Sequence, residues 1–199
     1  MQSAGVFKLL REVSIPGQPT QFTIGERLES FDGLLDEEIV VLPVVGLGRA
    51  GKSTFLGYLA SSVDQYTLCR FQTGDSIDPV THGVDACLLN LQNGKLLLLI
   101  DVEGLCNRDR PELDLFLAMV SQLAGDVVFL DRSINDTFRT SLSRMVCTRV
   151  SMDNDGAVFW PKLHLVLNMS RARVNADTIT RAFAVRDGVT EEPSRVSRT

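Results

Sequence analysis

The apolar residues of this chain fall into short runs separated by polar loops. The run Ile39–Val45 is rich in β-branched residues and ends in glycines, so we predict a buried parallel strand there. Pro43 weakens the prediction of a central position, because proline cannot donate a ladder hydrogen bond. Residues 52–62 have a helical pattern. Residues 84–91 and 95–101 flank Asn93-Gly94, which predicts a β-hairpin.

The second half of the chain continues this alternation. Pro111 begins a predicted helix, and a strand is predicted over Val127–Leu130. A second helix is expected over 137–148 and a final strand over Leu163–Leu167. Because strands alternate with helices, we predict an α/β fold of three layers, with a mainly parallel sheet and one antiparallel hairpin.

Length and composition fit a single domain over residues 1–199, with an N-terminal extension over about 1–30 and a flexible tail over about 188–199. The net charge of −5 argues against nucleic acid as a partner, which normally needs a basic face. The apolar runs are too short for a transmembrane segment. Peripheral membrane contact stays open.

Four cysteines are scattered along the chain without a CxxC pair, which argues against a zinc site. We therefore expect free thiols in a reducing, cytoplasmic location. The cysteines are Cys69, Cys87, Cys106 and Cys147.

One motif carries specific chemistry. Residues 46–53 read Gly-Leu-Gly-Arg-Ala-Gly-Lys-Ser and fit the phosphate-binding P-loop, G-x-x-x-x-G-K-[ST]. Glycines let the backbone N–H groups wrap a phosphate, and the following helix adds its positive N-terminal end. Lys52 would reach the β- and γ-phosphates, and Ser53 would coordinate Mg²⁺. Arg49 is either a cation that neutralises charge in the transition state or a solvent-facing loop residue.

Two further segments fit this motif. Asp101-Val102-Glu103-Gly104 follows an apolar strand, so Asp101 can hold Mg²⁺ through water and the Gly104 N–H can meet the γ-phosphate. The polar stretch Gly74–Gly83 contains Thr81, whose hydroxyl could coordinate Mg²⁺ when triphosphate is bound.

Taken together, these segments resemble the guanylate-binding protein and atlastin branch of the dynamin-like large GTPases. The arginine-bearing P-loop and the Asp-x-Glu-Gly motif at Asp101–Gly104 are the most specific parts of the resemblance. Thr81-His82-Gly83 is similar to the end of the family's switch I. Ser133-Ile134-Asn135 and Phe159-Trp160-Pro161 also fit, so the similarity covers roughly residues 30–170.

The resemblance implies a P-loop NTPase with a Ras-like G domain that binds and hydrolyses GTP with Mg²⁺. It gives Arg49 the role of an internal arginine finger, and gives Thr81 and Glu103 supporting catalytic roles. Ser53, Thr81 and Asp101 would be the metal ligands. It also implies homodimerisation across the nucleotide face. The implied nucleotide-binding residues are Gly46, Arg49, Ala50, Gly51, Lys52, Ser53, Thr54, Thr81, Asp101 and Gly104.

Three departures from the family pattern leave alternatives open. Pro79 stands where the family often has a serine that positions the attacking water, which leaves reduced hydrolysis as one expectation. The guanine-binding aspartate is missing after the last predicted strand, which leaves either the Asn168 region or Asp187 for the base. The family's helical domain is absent, as in a fragment or a reduced relative. A pseudo-GTPase interaction module is the first alternative function, and an unrelated P-loop ATPase is the second.

Overall fold

The computed structural model describes part of the chain, and all of that part belongs to the first of two compact units, Met1–Met169 and Ser170–Thr199. The described residues are 5–13, 15–16, 21–25, 38–64, 69–73, 83–104, 116–117, 119–121, 123–133, 139–140, 142–143, 147 and 161–168.

Seven strands form one sheet in the order β2-β1-β4-β5-β3-β6-β7. A helix, α1, spans Lys52–Val63 and follows β3 in the chain. The strands are β1 (Phe7–Val13), β2 (Gln21–Ile24), β3 (Ile39–Val45), β4 (Val84–Asn90), β5 (Leu96–Val102), β6 (Asp126–Asp131) and β7 (Lys162–Leu167).

The predicted fold class is wrong. The sheet is mixed rather than mainly parallel, because three of its six pairings are antiparallel: β1 with β2, β1 with β4, and β4 with β5. Within the described residues α1 is the one complete helix, with short helical pieces among residues 116–123 and 139–147. This part of the chain is rich in strands and does not form the three-layer Ras-like α/β domain with a single antiparallel hairpin.

The antiparallel pairings beyond the hairpin come from the N-terminal residues. The predicted extension over about 1–30 contains β1 and β2 of the sheet. β1 mixes apolar and charged residues without strict alternation, and its pairing with β4 carries the antiparallel part of the sheet well beyond the hairpin. A strand of only four residues such as β2 leaves little pattern to detect.

The other strand predictions and the first helix are confirmed to within one or two residues. β3 lies between β5 and β6 despite Pro43. It pairs with β5 from Ile39 to Val44, but with β6 only at Val44 and Val45, directly after the proline. The ladder between β3 and β6 is short, as expected because Pro43 has no backbone N–H to donate.

Each face of the sheet has its own apolar core. On one face Val45, Ile100 and Phe129 pack with residues of the 116–124 segment. On the other face α1 inserts Leu56 and Ala60 against Val44, Leu99 and other residues. Burying these side chains supplies the main favourable free energy of folding, at about 25 cal/mol per Å² of apolar surface. The loop that follows β3 contributes Ala50 to the second of these cores.

The thiol prediction is wrong for two of the four cysteines. Cys69 and Cys87 are buried and form a disulfide that joins the segment after α1 to β4. They are 18 residues apart in the sequence and belong to the same apolar core. Cys147 is exposed, and Cys106 lies outside the described residues. Among the described helices, none is long and apolar enough to cross a membrane.

Candidate functional site

The loop between β3 and α1 needs glycine at both ends. Gly46 has a φ of 145°, and a Cβ there would lie 1.9 Å from the carbonyl oxygen of Leu130 in β6. Gly51 has a φ of 90° and precedes α1, whose N-terminus is not capped by a side chain and carries no acidic residue in its first turn. The loop therefore lies close to β6 and presents an uncapped helix N-terminus, a site suited to an anion.

Lys52 is buried, with 7% of its surface exposed. Its Nζ donates hydrogen bonds to the carbonyl oxygens of Gly46 at 3.3 Å and Leu47 at 3.0 Å. Burial lowers the pKa of Lys52, while the negative charges of Asp101, Asp131 and Glu103 oppose that shift. The ammonium is thus enclosed by the loop and by carboxylates, where a phosphate could exchange for the loop carbonyls.

Ser53 and Asp101 meet across the site. The Ser53 Oγ donates a hydrogen bond of 2.6 Å to Asp101 Oδ2, although the two residues are 48 positions apart. Asp101 is fully buried near the end of β5, which pairs with β3 directly before the loop. Hydroxyl and carboxylate oxygens are the ligands that Mg²⁺ prefers, so this donor pair fits the predicted metal.

Glu103 has a structural partner. Its buried carboxylate accepts a 3.0 Å hydrogen bond from the Gly83 N–H, and its own N–H donates to the Gly83 carbonyl at 3.0 Å. These two bonds join the end of β5 to the residue before β4. The carboxylate therefore fixes the end of the Thr81-His82-Gly83 segment in addition to any catalytic role.

The other predicted site residues differ in how far they are exposed to solvent. Arg49 and Thr54 are exposed, and Ala50 is buried. Arg49 has a φ of 61°, a left-handed conformation that few residues other than glycine adopt. Backbone strain of this kind often accompanies functional loops. Gly104 lies half-buried just beyond β5.

Asn168, which follows β7, contacts the loop between β3 and α1 directly. Its Nδ2 donates to the Ala50 carbonyl at 2.9 Å, and its backbone N–H donates to the Asp131 carbonyl at 2.7 Å. The sequence leaves base recognition open between the Asn168 region and Asp187. The hydrogen bond to Ala50 shows that the Asn168 amide holds the loop.

Sequence reasoning missed Asp131. It is buried at the end of β6, and its Oδ1 accepts a hydrogen bond from the Arg132 N–H at 2.6 Å. Its Oδ2 is buried and receives no hydrogen bond from the described residues. Burial raises the pKa of this carboxyl, although backbone donors and Lys52 oppose the shift. The signal was available, because Asp131 ends an apolar strand just as Asp101 does.

Several predicted residues lie outside the described part of the chain. They are Thr81, Pro79 and Asp187, together with most of the 74–83 segment. The structure therefore brings together Gly46, Gly51, Lys52, Ser53 and Asp101 and adds Asn168 and Asp131.

Comparisons with known proteins were made by family model and by sequence. No family model matches the chain, and no curated protein matches it. The resemblance to the guanylate-binding and atlastin-like GTPases consequently rests on the motifs quoted above and stays a prediction.

Proposed function

We propose that this protein binds GTP with Mg²⁺ at the loop between β3 and α1 and hydrolyses it to GDP and phosphate. The hydrogen bond between Ser53 and Asp101 is the observation that carries the proposal. It joins the two sequence motifs from which a magnesium ligand set was predicted, and few other chemistries require a hydroxyl and a buried carboxylate at a P-loop.

Phosphate binding is assigned to the loop and to Lys52. Backbone N–H groups around Gly51 and the uncapped α1 terminus favour negative charge, and the Lys52 ammonium is already held at the loop by two carbonyl oxygens. In the nucleotide complex, phosphate oxygens would replace those carbonyls as acceptors.

The metal would be held by Ser53 and Asp101, with Thr81 as a third ligand. A bound Mg²⁺ would supply positive charge that offsets the negative charge developing on the phosphates during transfer. Ser53 and Asp101 need little movement to reach a shared ion, because their oxygens are 2.6 Å apart.

Hydrolysis is assigned to Arg49, which is exposed on the loop that would surround the phosphates. Its guanidinium would stabilise charge on the transferring phosphoryl group as an arginine finger in cis. An exposed arginine here also supports self-association of two copies across the nucleotide face. Glu103 and Thr81 would hold the loop that faces the γ-phosphate.

The proposal is tested with Ser53→Ala, compared with Ser61→Ala as a control. Ser61 lies on the same helix, is exposed, and donates to the Gly57 carbonyl at 2.8 Å. Binding of a fluorescent GTP analogue is measured with and without Mg²⁺. Ser53→Ala is expected to lose most of the Mg²⁺ dependence, whereas Ser61→Ala should bind like the wild type. Equal Mg²⁺ dependence in both variants would overturn the assignment.

A further inference from the structure

A row of charged residues crosses the sheet towards the proposed metal site. Lys8 in β1 is opposite Asp85 in β4, and Asp85 is opposite Asp101 in β5. Residues opposite one another in neighbouring strands project from the same face of a sheet. Asp101 then contacts Ser53 of α1, which covers that face. The row therefore links the N-terminal strand to the P-loop.

The first pair of this row is an ion pair. Lys8 Nζ lies 2.7 Å from Asp85 Oδ1, and the side chain of Asp85 is only 6% exposed. Burying a carboxylate without a cation beside it costs desolvation free energy. The Lys8 ammonium therefore explains why a charged Asp85 can be buried here.

The second pair brings two carboxylates together. Side chains directly opposite each other in an antiparallel ladder have Cβ atoms about 4.5–5.5 Å apart, and like charges so placed repel. Asp85 and Asp101 are both buried, where electrostatic interactions are screened less than at the surface. The charge at Asp85, and the Lys8 ammonium that balances it, must therefore act on Asp101.

We propose that Lys8 and Asp85 are positioning residues of the metal site, and that their ion pair sets the affinity of Ser53 and Asp101 for a divalent cation. The inference rests on the proposed function. While the pair is intact, Lys8 is occupied by Asp85 and does not compete with the cation for Asp101. The N-terminal strand β1 thereby becomes part of the site.

Charge-changing variants test this by the sign of their effects. Asp85→Asn leaves the Lys8 ammonium to interact with Asp101 and oppose a cation. Lys8→Met leaves the negative charge of Asp85 unbalanced, and that charge would favour binding of a cation at Asp101. The measurement is the Mg²⁺ concentration that gives half-maximal binding of a fluorescent GTP analogue. We expect it to rise roughly three- to tenfold in Asp85→Asn and to fall by a similar factor in Lys8→Met.

The double variant, Lys8→Met with Asp85→Asn, should return the midpoint to within about twofold of the wild type, since it restores neutrality. The control is a second ion pair, beyond the opposite end of β5. Lys95, which precedes β5, places its Nζ 2.5 Å from Oε1 of Glu38, which precedes β3. A seven-residue strand is roughly 20 Å long, so Lys95→Met and Glu38→Gln should leave the midpoint unchanged.

Thermal unfolding without nucleotide or Mg²⁺ separates a positioning role from a structural one. A structural role would lower the unfolding temperature in both single variants and weaken binding in both.

Should Lys8→Met fail to fold, Asp85→Asn and the double variant still decide the question. Midpoints that do not move, or that move in the same direction, overturn the inference while leaving the proposed function intact. Absence of triphosphate binding by the wild type would instead overturn both.

Discussion

At the scale of single residues, the site is defined by where its charges are buried. Lys52 lies among three carboxylates, and those carboxylates oppose the effect of burial on its pKa. Arg49, by contrast, is exposed on the same loop. The two cations are therefore suited to different tasks: the buried one to hold phosphate, and the exposed one to move to a charge that develops during reaction.

Replacing Arg49 by alanine should reduce GTP turnover by about 10³-fold or more and leave nucleotide affinity nearly unchanged, because an arginine finger acts mainly in the transition state. Single-turnover hydrolysis and analogue binding measure the two effects. Arg70→Ala, at another exposed arginine, is the control. Unchanged turnover in Arg49→Ala would remove the finger role and favour the module that binds nucleotide without hydrolysis.

Asp131 should leave a signature in the pH dependence of stability. Its pKa is raised in the folded protein from a model-peptide value of 3.8, so the folded state binds the proton more tightly than the unfolded state. The stability that this proton contributes is fully present below the unfolded pKa and is lost as pH rises through the folded pKa.

Asp131→Asn should remove this loss. Denaturant unfolding of the variant and the wild type, followed upwards from pH 3.8, should show the variant gaining in relative stability with rising pH until the folded carboxyl has ionised. Parallel curves for the two proteins would show that Asp131 has an ordinary pKa. Asp64→Asn, a change at the half-buried residue that ends α1, serves as the comparison.

At the scale of elements, the strand–loop–helix unit from β3 to α1 is well predicted by the sequence. Its β-branched run, glycine-rich loop and helical pattern are all visible in the sequence, and the structure confirms both elements. What the sequence could not show is how closely the loop approaches β6, because that approach depends on the pairing of strands more than 80 residues apart.

That approach predicts unequal effects of two glycine substitutions. Gly46→Ala should destabilise the protein by about 2 kcal/mol or more, because the new Cβ would meet the backbone of Leu130. Gly57→Ala, inside α1 with nothing within 4 Å, should stabilise it by about 0.5–1 kcal/mol. Chemical denaturation measures both. Similar effects at the two positions would contradict the described loop geometry.

At the scale of the whole molecule, the sequence predicted which motif residues come together better than it predicted the fold class. Ser53 and Asp101 were both named from their motifs, and the structure places them in contact. The fold class failed because β1 and β2 give weak patterns and pair antiparallel. Asn168 illustrates the limit for the site, since its bond to Ala50 spans 118 positions and no local pattern encodes such a contact.

The mixed sheet also explains how the site is assembled. The ends of β3, β5 and β6 provide the loop, Asp101 and Asp131, and the segment after β7 provides Asn168. Parallel strands align their carboxyl ends at one edge of a sheet, and that is where ligands of α/β proteins commonly bind. The antiparallel strands β1 and β4 add Lys8 and Asp85 from the other side of β5.

The most direct test of the central claim is calorimetric titration of the purified protein with GTP and with ATP, each with and without Mg²⁺, alongside Lys52→Ala. The account predicts Mg²⁺-dependent binding of GTP, much weaker binding of ATP, and loss of both in Lys52→Ala. Lys95→Ala, which removes an ammonium at the far end of β5, should bind as the wild type does. Failure of the wild type to bind either nucleotide, or equal binding by Lys52→Ala, would contradict it.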